Sequence, residues 1–296
     1  MTKQLSLWNN NNIDNTTSNN TTTTTNNNIN NNKPKNNLRS PIKYFGSKFF
    51  MMKEIQAHFP KDIRNLSFIE GFGGGASVLF SKEPHGIEIY NDLDENVYSL
   101  FKVISDKQLF SELKNKLDVT PYSRELRDEF KNDLKQEISL LDRAYKFFYV
   151  NRTSFNGCGG FASALDIRRN MNKSVSDYLS MVDYLPEIHQ RFSRIVIEHL
   201  DINALLKRYN QENVFYYLDP PYVHSSRKSL ARYNCEMTDE QHIEMLNIIL
   251  NHKSKFLISG YKNDIYNILL ENGWNEYSFK SPLSDSIETL WWNYDI

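Results

Sequence analysis

The sequence predicts an α/β fold, a mainly parallel sheet with helices on both faces, interrupted by a helical insertion. Three observations carry this expectation. Leu66–Ile69 and Ile87–Tyr90 are short apolar strands that run into polar loops and then helices, the β-loop-α-β-α order of a parallel sheet. Val214–Leu218 is apolar throughout, as a strand buried on both faces must be. Between these strands, residues 105–190 are charged and mostly of helical periodicity.

The elements follow in order. From Asn9 to Asn37, 15 of 29 residues are Asn and 7 are Thr. Such a stretch buries too little apolar surface to offset its ordering entropy, so residues 1–37 are expected to form a disordered tail. Arg39–Lys48 reads as turn-rich, followed by a helix through His58 with Pro60 beyond its end. After Leu66–Ile69, the run Glu70-Gly71-Phe72-Gly73-Gly74-Gly75-Ala76 leads to a helix opening near Ser77. Ile87–Tyr90 precedes a helix with Val97, Leu100, Phe101 and Ile104 on one face. In the insertion, Ile138, Leu141, Tyr145 and Phe148 share a helical face that ends in the Gly/Asn-rich loop 151–161. Strands resume at Ile195–Ile197 and Val214–Leu218. Thr238–Gln241 is a capping box opening a helix with Ile243, Leu246, Ile249 and Leu250 inward. Phe256–Ser259, Glu276–Phe279 and Thr289–Tyr294 complete the strands, and no internal repeat is visible.

Composition removes several classes. No run approaches the 18 or so apolar residues of a membrane span, so no membrane association is expected. The amino terminus lacks the apolar core of a signal peptide and the Arg of a transit peptide, so an intracellular location is expected, in the cytoplasm or whichever compartment holds the substrate. Cys158 and Cys235 form no metal spacing or disulfide framework, and the seven histidines have no metal spacing either. Net charge is -1, so any nucleic-acid site must be a local basic surface rather than a global property.

Chemistry concentrates at three places. The loop Gly71–Gly75 joins a strand to a helix start, where a ligand can sit against backbone N–H groups. It is neither G-x-G-x-x-G nor a Walker loop. Asp92 lies 22 residues after Glu70, at the carboxyl end of the next strand, where an acid can accept hydrogen bonds from both ribose hydroxyls of a nucleoside. Asp94 suits a helix cap better. Loop and acid together argue for an adenosine-containing cofactor without a pyrophosphate. The third place is Asp219-Pro220-Pro221-Tyr222, after the all-apolar strand. The prolines hold a rigid extended turn whose carbonyls serve as acceptors. With a carboxylate and an aromatic face alongside, this suits a planar group bearing an exocyclic amine.

These motifs, in this order, resemble the DNA adenine-N6 methyltransferase family that includes the Dam-like and phage enzymes. The resemblance runs from about Leu38 to Tyr294. Pro41–Lys48 (Pro-Ile-Lys-Tyr-Phe-Gly-Ser-Lys) is similar to the family's first cofactor motif, with its aromatic and lysine at Tyr44 and Lys48. Phe68–Val78 resembles the glycine motif, with Gly71 where a proline is usual, and Asn91-Asp92 the acidic ribose motif. Asn151–Phe161 resembles an Asn-Arg…Phe-Asn-Gly loop, and Asp219–Tyr222 the catalytic motif unchanged.

The resemblance implies a Rossmann-like sheet that binds S-adenosylmethionine, formed by residues 38–104 and 191–296, with 105–190 as the target-recognition insertion. It implies direct transfer of a methyl group to adenine N6 in a short site of double-stranded DNA, on a base flipped out of the helix. Asp219, Pro220, Pro221 and Tyr222 would be catalytic. Tyr44, Lys48, Glu70, Phe72, Gly74, Asp92 and Asp219 would hold the cofactor. Arg152, Asn156, Arg168, Arg169, Arg227 and Arg232 are the candidate DNA contacts, with Lys173 and Lys228 among the same basic clusters. No metal is expected. A restriction endonuclease acting on the same site, without stable association, is a conceivable partner. Alternatives stand beside this reading. The same pocket suits cytosine N4, adenine in RNA or a glutamine amide, although Asp219 replaces the Asn usual in the glutamine enzymes. A DNA-binding protein that keeps the fold without catalysis would not need Tyr44, Lys48, Asp92 and Asp219.

Overall fold

A computed structural model describes residues 38–44, 46–223, 236–281 and 285–296. The expected tail lies outside the described residues, as do Arg227, Lys228, Arg232 and Cys235. The chain forms α1 (Met52–Ala57), β1 (Ser67–Glu70), α2 (Ser77–Ser81), β2 (Glu88–Asn91) and α3 (Glu95–Ser105). Then come α4 (Lys107–Asp118), α5 (Arg124–Asp133), α6 (Leu140–Thr153), the two-residue strands β3 (Ile167–Arg168) and β4 (Met171–Asn172), and α7 (Lys173–Phe192). It continues through β5 (Val196–Glu198), α8 (Ile202–Arg208), β6 (Val214–Leu218), α9 (Asp239–Leu250), β7 (Lys255–Gly260), α10 (Asn267–Glu271), β8 (Asn275–Lys280) and β9 (Ile287–Trp292). Among the described residues, no helix is long and apolar enough to cross a membrane.

The main sheet has the order β5-β2-β1-β6-β7-β9-β8. The first five strands are parallel, and β9 inserts antiparallel between β7 and β8. From β1 the chain moves outward to β2, and from β6 it moves the opposite way to β7. The neighbours β1 and β6 therefore mark the topological switch point, where a crevice opens at the strands' carboxyl ends. Side chains of β6 alternate between two cores, as a period of two requires. Phe215 and Tyr217 face one core, and Val214, Tyr216 and Leu218 the other.

The helices of the insertion share the first of these cores. Phe110, Leu113, Phe148, Tyr149, Leu185 and Ile188 pack in one cluster with Phe68 and Phe215 of the sheet. Arg191, near the end of α7, forms a bidentate pair with Glu88 of β2 at 2.6 and 2.8 Å. Lys82 is the second cation on that carboxylate, and all three groups are buried. This triad ties the last helix of the insertion to the strand that carries Asp92 at its end.

Two local expectations are corrected. Ile138 lies before α6, because the Ser139 side chain accepts from the Asp142 N–H and caps the helix there. In α9 the capping box is present, but Ile243 is 47% exposed. The buried face is instead His242, Met245, Leu246 and Ile249, the i, i+3, i+4, i+7 stripe of a helix whose phase is set by the cap at Thr238. Leu250 is half-buried.

Removing the shared carboxylate should be costly, because both buried cations would remain. Glu88→Gln is expected to lose about 3–5 kcal/mol of stability. An unchanged thermal melting temperature would show that the triad does not hold the insertion to the sheet.

Candidate active site

A cavity of about 500 Å³ lies at the switch point. All seven residues expected to hold the cofactor line it: Tyr44, Lys48, Glu70, Phe72, Gly74, Asp92 and Asp219. Its walls come from the carboxyl ends of β1, β2 and β6. Asp201, Ile202 and Leu93, which the sequence reading missed, line it too. Asp201 is legible in hindsight as an acid placed just after a strand, where it also caps α8.

The glycine loop is shaped by close approach. A Cβ on Gly73 would collide with the Tyr90 ring, and one on Gly74, at φ +47°, would lie 2.6 Å from the Tyr44 ring. Tyr90 donates its hydroxyl proton to the Gly74 carbonyl at 2.7 Å. Asp92 accepts from the Gly74 N–H at 2.6 Å and the Asp94 N–H at 2.8 Å, and Asp94 caps α3. A carboxylate offers about four acceptor positions, so Asp92 keeps capacity for two hydroxyl donors. Glu70 accepts from the Leu79 N–H at 3.0 Å and the Val78 N–H at 3.3 Å. It thus serves the amino terminus of α2 as well as the cavity wall. Burial pushes its carboxyl up to about 8 against the pull of those N–H groups.

The second wall is a chain of hydrogen bonds. The Lys48 ammonium, 4% exposed, lies 2.8 Å from the Asp219 carboxylate and donates to the Tyr222 hydroxyl at 2.7 Å. Ser259 of β7 donates to Asp219 at 3.0 Å and is itself within 2.8 Å of the Tyr217 hydroxyl. Tyr222 donates to Glu288 of β9 at 3.0 and 3.2 Å. Burial alone would lower the Lys48 pKa, but Asp219 and, more weakly, Tyr217 and Glu288 raise it well above the ordinary lysine value. Lys48 therefore stays charged and serves the Asp219–Tyr222 turn as directly as it serves the cavity. Pro221 lines the cavity, while Pro220, Pro221 and Tyr222 also line a smaller cleft with Tyr261 and Trp291.

Among the described residues, the expected DNA contacts Arg152, Asn156, Arg168 and Arg169 are not on the cavity wall. Arg168 lies on the β3–β4 hairpin and pairs with Asp177, and Arg169 donates to Ser180 at 2.9 Å. Arg169 and Asn170 form the turn, at φ 53° and 57°, the doubly left-handed geometry of a tight hairpin. The hairpin segment exposes Leu165 (98%) and Ile167 (79%). Arg152, at the end of α6, is half-buried; burial, together with nearby Arg39, lowers its pKa to about 10 despite Asp177. Asn156 is exposed at φ 50°, beside exposed Phe155. Asn151 connects this loop to the cavity. Its amide accepts from the Lys43 N–H at 2.8 Å and donates to the Lys43 carbonyl at 3.0 Å, one residue before Tyr44. Among the described residues, no group of three or more His, Cys, Asp or Glu could hold a metal.

The sequence profile of the D12 class of N6 adenine-specific DNA methyltransferases matches residues 44–283. The chain belongs to that family. It is similar to the modification methylase StsI of Streptococcus sanguinis, 22% identical over 89% of this chain and 45% of that protein. It is also similar to the type II methyltransferase M1.LlaDCHI of Lactococcus lactis subsp. cremoris, 26% identical over 67% of this chain and 70% of the relative. A third relative is the type II methyltransferase M.CviBI of Paramecium bursaria Chlorella virus NC1A, 22% identical over 73% of this chain and 80% of the relative. The chain thus spans about half the length of StsI and most of the other two.

The buried acids give the site a pH signature. Burial raises the Asp92 carboxyl from its ordinary 3.8 to about 7, against the hydrogen bonds from Gly74 and Asp94. The folded chain then binds this proton more tightly than the unfolded chain. The stability it contributes is present below about pH 4 and is lost as pH rises toward 7. Denaturation of Asp92→Asn and parent across that interval should show the variant gaining stability relative to the parent as pH rises. A pH-independent difference would mean that Asp92 is not held in its protonated form.

Proposed function

We propose that the chain transfers a methyl group from S-adenosylmethionine to the exocyclic N6 amine of adenine within a short site of double-stranded DNA. The observation that carries this reading is the placement of Asp219–Tyr222 at the carboxyl end of β6, with Asp219 shared between the catalytic quartet and the cavity that Asp92 closes from β2. The cavity residues fit the cofactor. Asp92 has acceptor capacity left for a ribose diol, and Leu93, Ile202 and Phe72 offer apolar surface for an adenine ring. Tyr44 packs over Gly74 at the loop. Bound there, S-adenosylmethionine supplies an electrophilic methyl on a sulfonium.

The chain's own part is positioning and exclusion of water. Asp219 and the Pro220 carbonyl accept the two N–H bonds of the target amine, which draws electron density onto the nitrogen and aims its lone pair at the cavity. No nucleophile is needed, so neither cysteine has a role. An adenine inside a duplex cannot reach this quartet, so the base must be flipped out, with Tyr222 as its stacking surface. The exposed hairpin with Arg168 and Arg169, together with Arg152 and the Asn156 loop, is the proposed DNA face of insertion 105–190. Arg227 and Arg232, outside the described residues, follow the quartet in sequence and are proposed to join it. A restriction endonuclease cutting the same unmethylated site is the proposed functional counterpart, without stable association. The working location is the intracellular compartment that holds the DNA.

Transfer of labelled methyl from S-adenosylmethionine to unmethylated duplex DNA, with identification of the modified base, tests the reading. N6-methyladenine is the expected product; label on cytosine N4 or on RNA alone overturns it. Asp219→Ala should abolish transfer while gel-shift affinity for DNA largely survives, because phosphate contacts dominate that affinity. A variant that methylates near the parental rate removes Asp219 from the mechanism. Asp92→Ala should weaken cofactor binding about tenfold or more, from the loss of charged-acceptor hydrogen bonds. Unchanged calorimetric affinity in the folded variant would take Asp92 out of the cofactor site.

A further inference from the structure

Glu288 lines neither the cavity nor the smaller cleft, yet its position is expensive. It lies in β9, flanked along the strand by the buried residues Thr289, Leu290, Trp291 and Trp292, and is itself only 3% exposed. A carboxylate in such a setting is retained against a large desolvation cost, so its partners identify its role. Among the described residues the Tyr222 hydroxyl donates to it, at 3.0 Å to one carboxylate oxygen and 3.2 Å to the other. Lys48 is the nearby cation, and it also serves Asp219.

Proton accounting fixes the direction of each bond. Lys48 has only donors, so at 2.7 Å the Tyr222 hydroxyl must accept from it. The tyrosine's own proton then needs a separate acceptor, and Glu288 provides it. The hydroxyl is held from two sides by groups on different parts of the chain, Lys48 before α1 and Glu288 on β9. The ring behind it packs against Tyr261, with centroids 4.2 Å apart and planes at 36°. Three contacts thus fix the plane of an aromatic ring whose backbone is already stiffened by Pro220 and Pro221.

We propose that Glu288 is a positioning residue: by accepting the Tyr222 hydroxyl proton it fixes the ring plane on which the flipped base stacks. The proposal rests on the reading of Tyr222 as the stacking surface. The hydroxyl, whose loss the motif alone would treat as harmless, becomes the handle by which the ring is aimed. Glu288 acts through Tyr222 and touches neither base nor cofactor.

The test is a double-mutant cycle in single-turnover methylation. Glu288→Met removes the acceptor and puts an apolar chain of similar length in its place, while Asp219 still neutralises Lys48. It is expected to slow transfer about tenfold or more, the loss of one charged hydrogen bond, with DNA and cofactor affinities close to parental. Tyr222→Phe should slow transfer similarly, and the double variant should be no slower than the slower single variant. Glu288→Gln, which keeps a neutral acceptor, should recover most of the rate. Multiplicative losses in the double variant, a parental rate for Glu288→Met, or a Glu288→Gln variant as slow as Glu288→Met would each overturn the proposal. A second measurement needs no activity. In ligand-free protein carrying 3-fluorotyrosine, the Tyr222 resonance, assigned by its absence in Tyr222→Phe, should move in Glu288→Met. An unmoved resonance overturns the role of Glu288 even if the parent methylates DNA, and a moved resonance in a parent that does not methylate leaves the positioning intact while removing the methyltransferase reading.

Discussion

The ion pair between Lys48 and Asp219 is the constraint around which the site is built. It joins residues 171 positions apart, one in the loop before α1 and one at the end of the central strand β6. A charged ammonium this deeply buried needs carboxylate partners, and a carboxylate at a strand end is held in one orientation by a fixed cation. Each group satisfies the other. Through Lys48 the pair also holds the Tyr222 hydroxyl, and through Asp219 it reaches Ser259 and Tyr217. The amino-terminal segment, three sheet strands and the Pro-Pro turn are thereby locked into one arrangement.

The rest of the cavity follows the same logic of acids placed against fixed donors. Asp92 and Glu70 stand at the ends of β2 and β1, and each is occupied by backbone N–H groups of the loop or helix that follows β1. These bonds shape the glycine loop, since the Gly74 N–H is directed to Asp92 and the Gly74 carbonyl to Tyr90. Burial nevertheless raises both carboxyls, to about 7 for Asp92 and about 8 for Glu70. The backbone bonds are thus too few to offset desolvation. A ligand bringing hydroxyl donors would favour the ionised form of Asp92, so a site of this kind is preorganised in shape while part of its charge is completed by what binds.

The β3–β4 hairpin is built on a different principle. Its arginines are exposed and already engaged, Arg168 with Asp177 and Arg169 with Ser180, and its apolar side chains Leu165 and Ile167 are exposed beside them. A surface of that composition suits a polyanion with stackable bases. Its link to the chemistry is the Asn151 amide, which grips the backbone of Lys43 next to Tyr44.

The sequence by itself determined the α/β class, most strands to within a residue or two, and seven of the residues that line the cavity at the switch point. These were legible because each is a local signal: an apolar run buried on both faces, glycines where backbone must approach a ring, an acid at a strand end, an Asp-Pro-Pro-Tyr turn. It did not determine that Lys48 belongs with Asp219, that Ser259 and Glu288 complete that network, or that Asp201 faces the ligand cavity. Nor did it set the phase of α9, where Ile243 turned outward and His242 inward, or the antiparallel insertion of β9. Those depend on which strands become neighbours. Pairing of β6 with β7 and of β7 with β9 brings Ser259 and Glu288 beside a quartet 37 to 69 residues away in the chain. No period or motif encodes that proximity. It comes from closing the sheet, which is a property of the whole packed core.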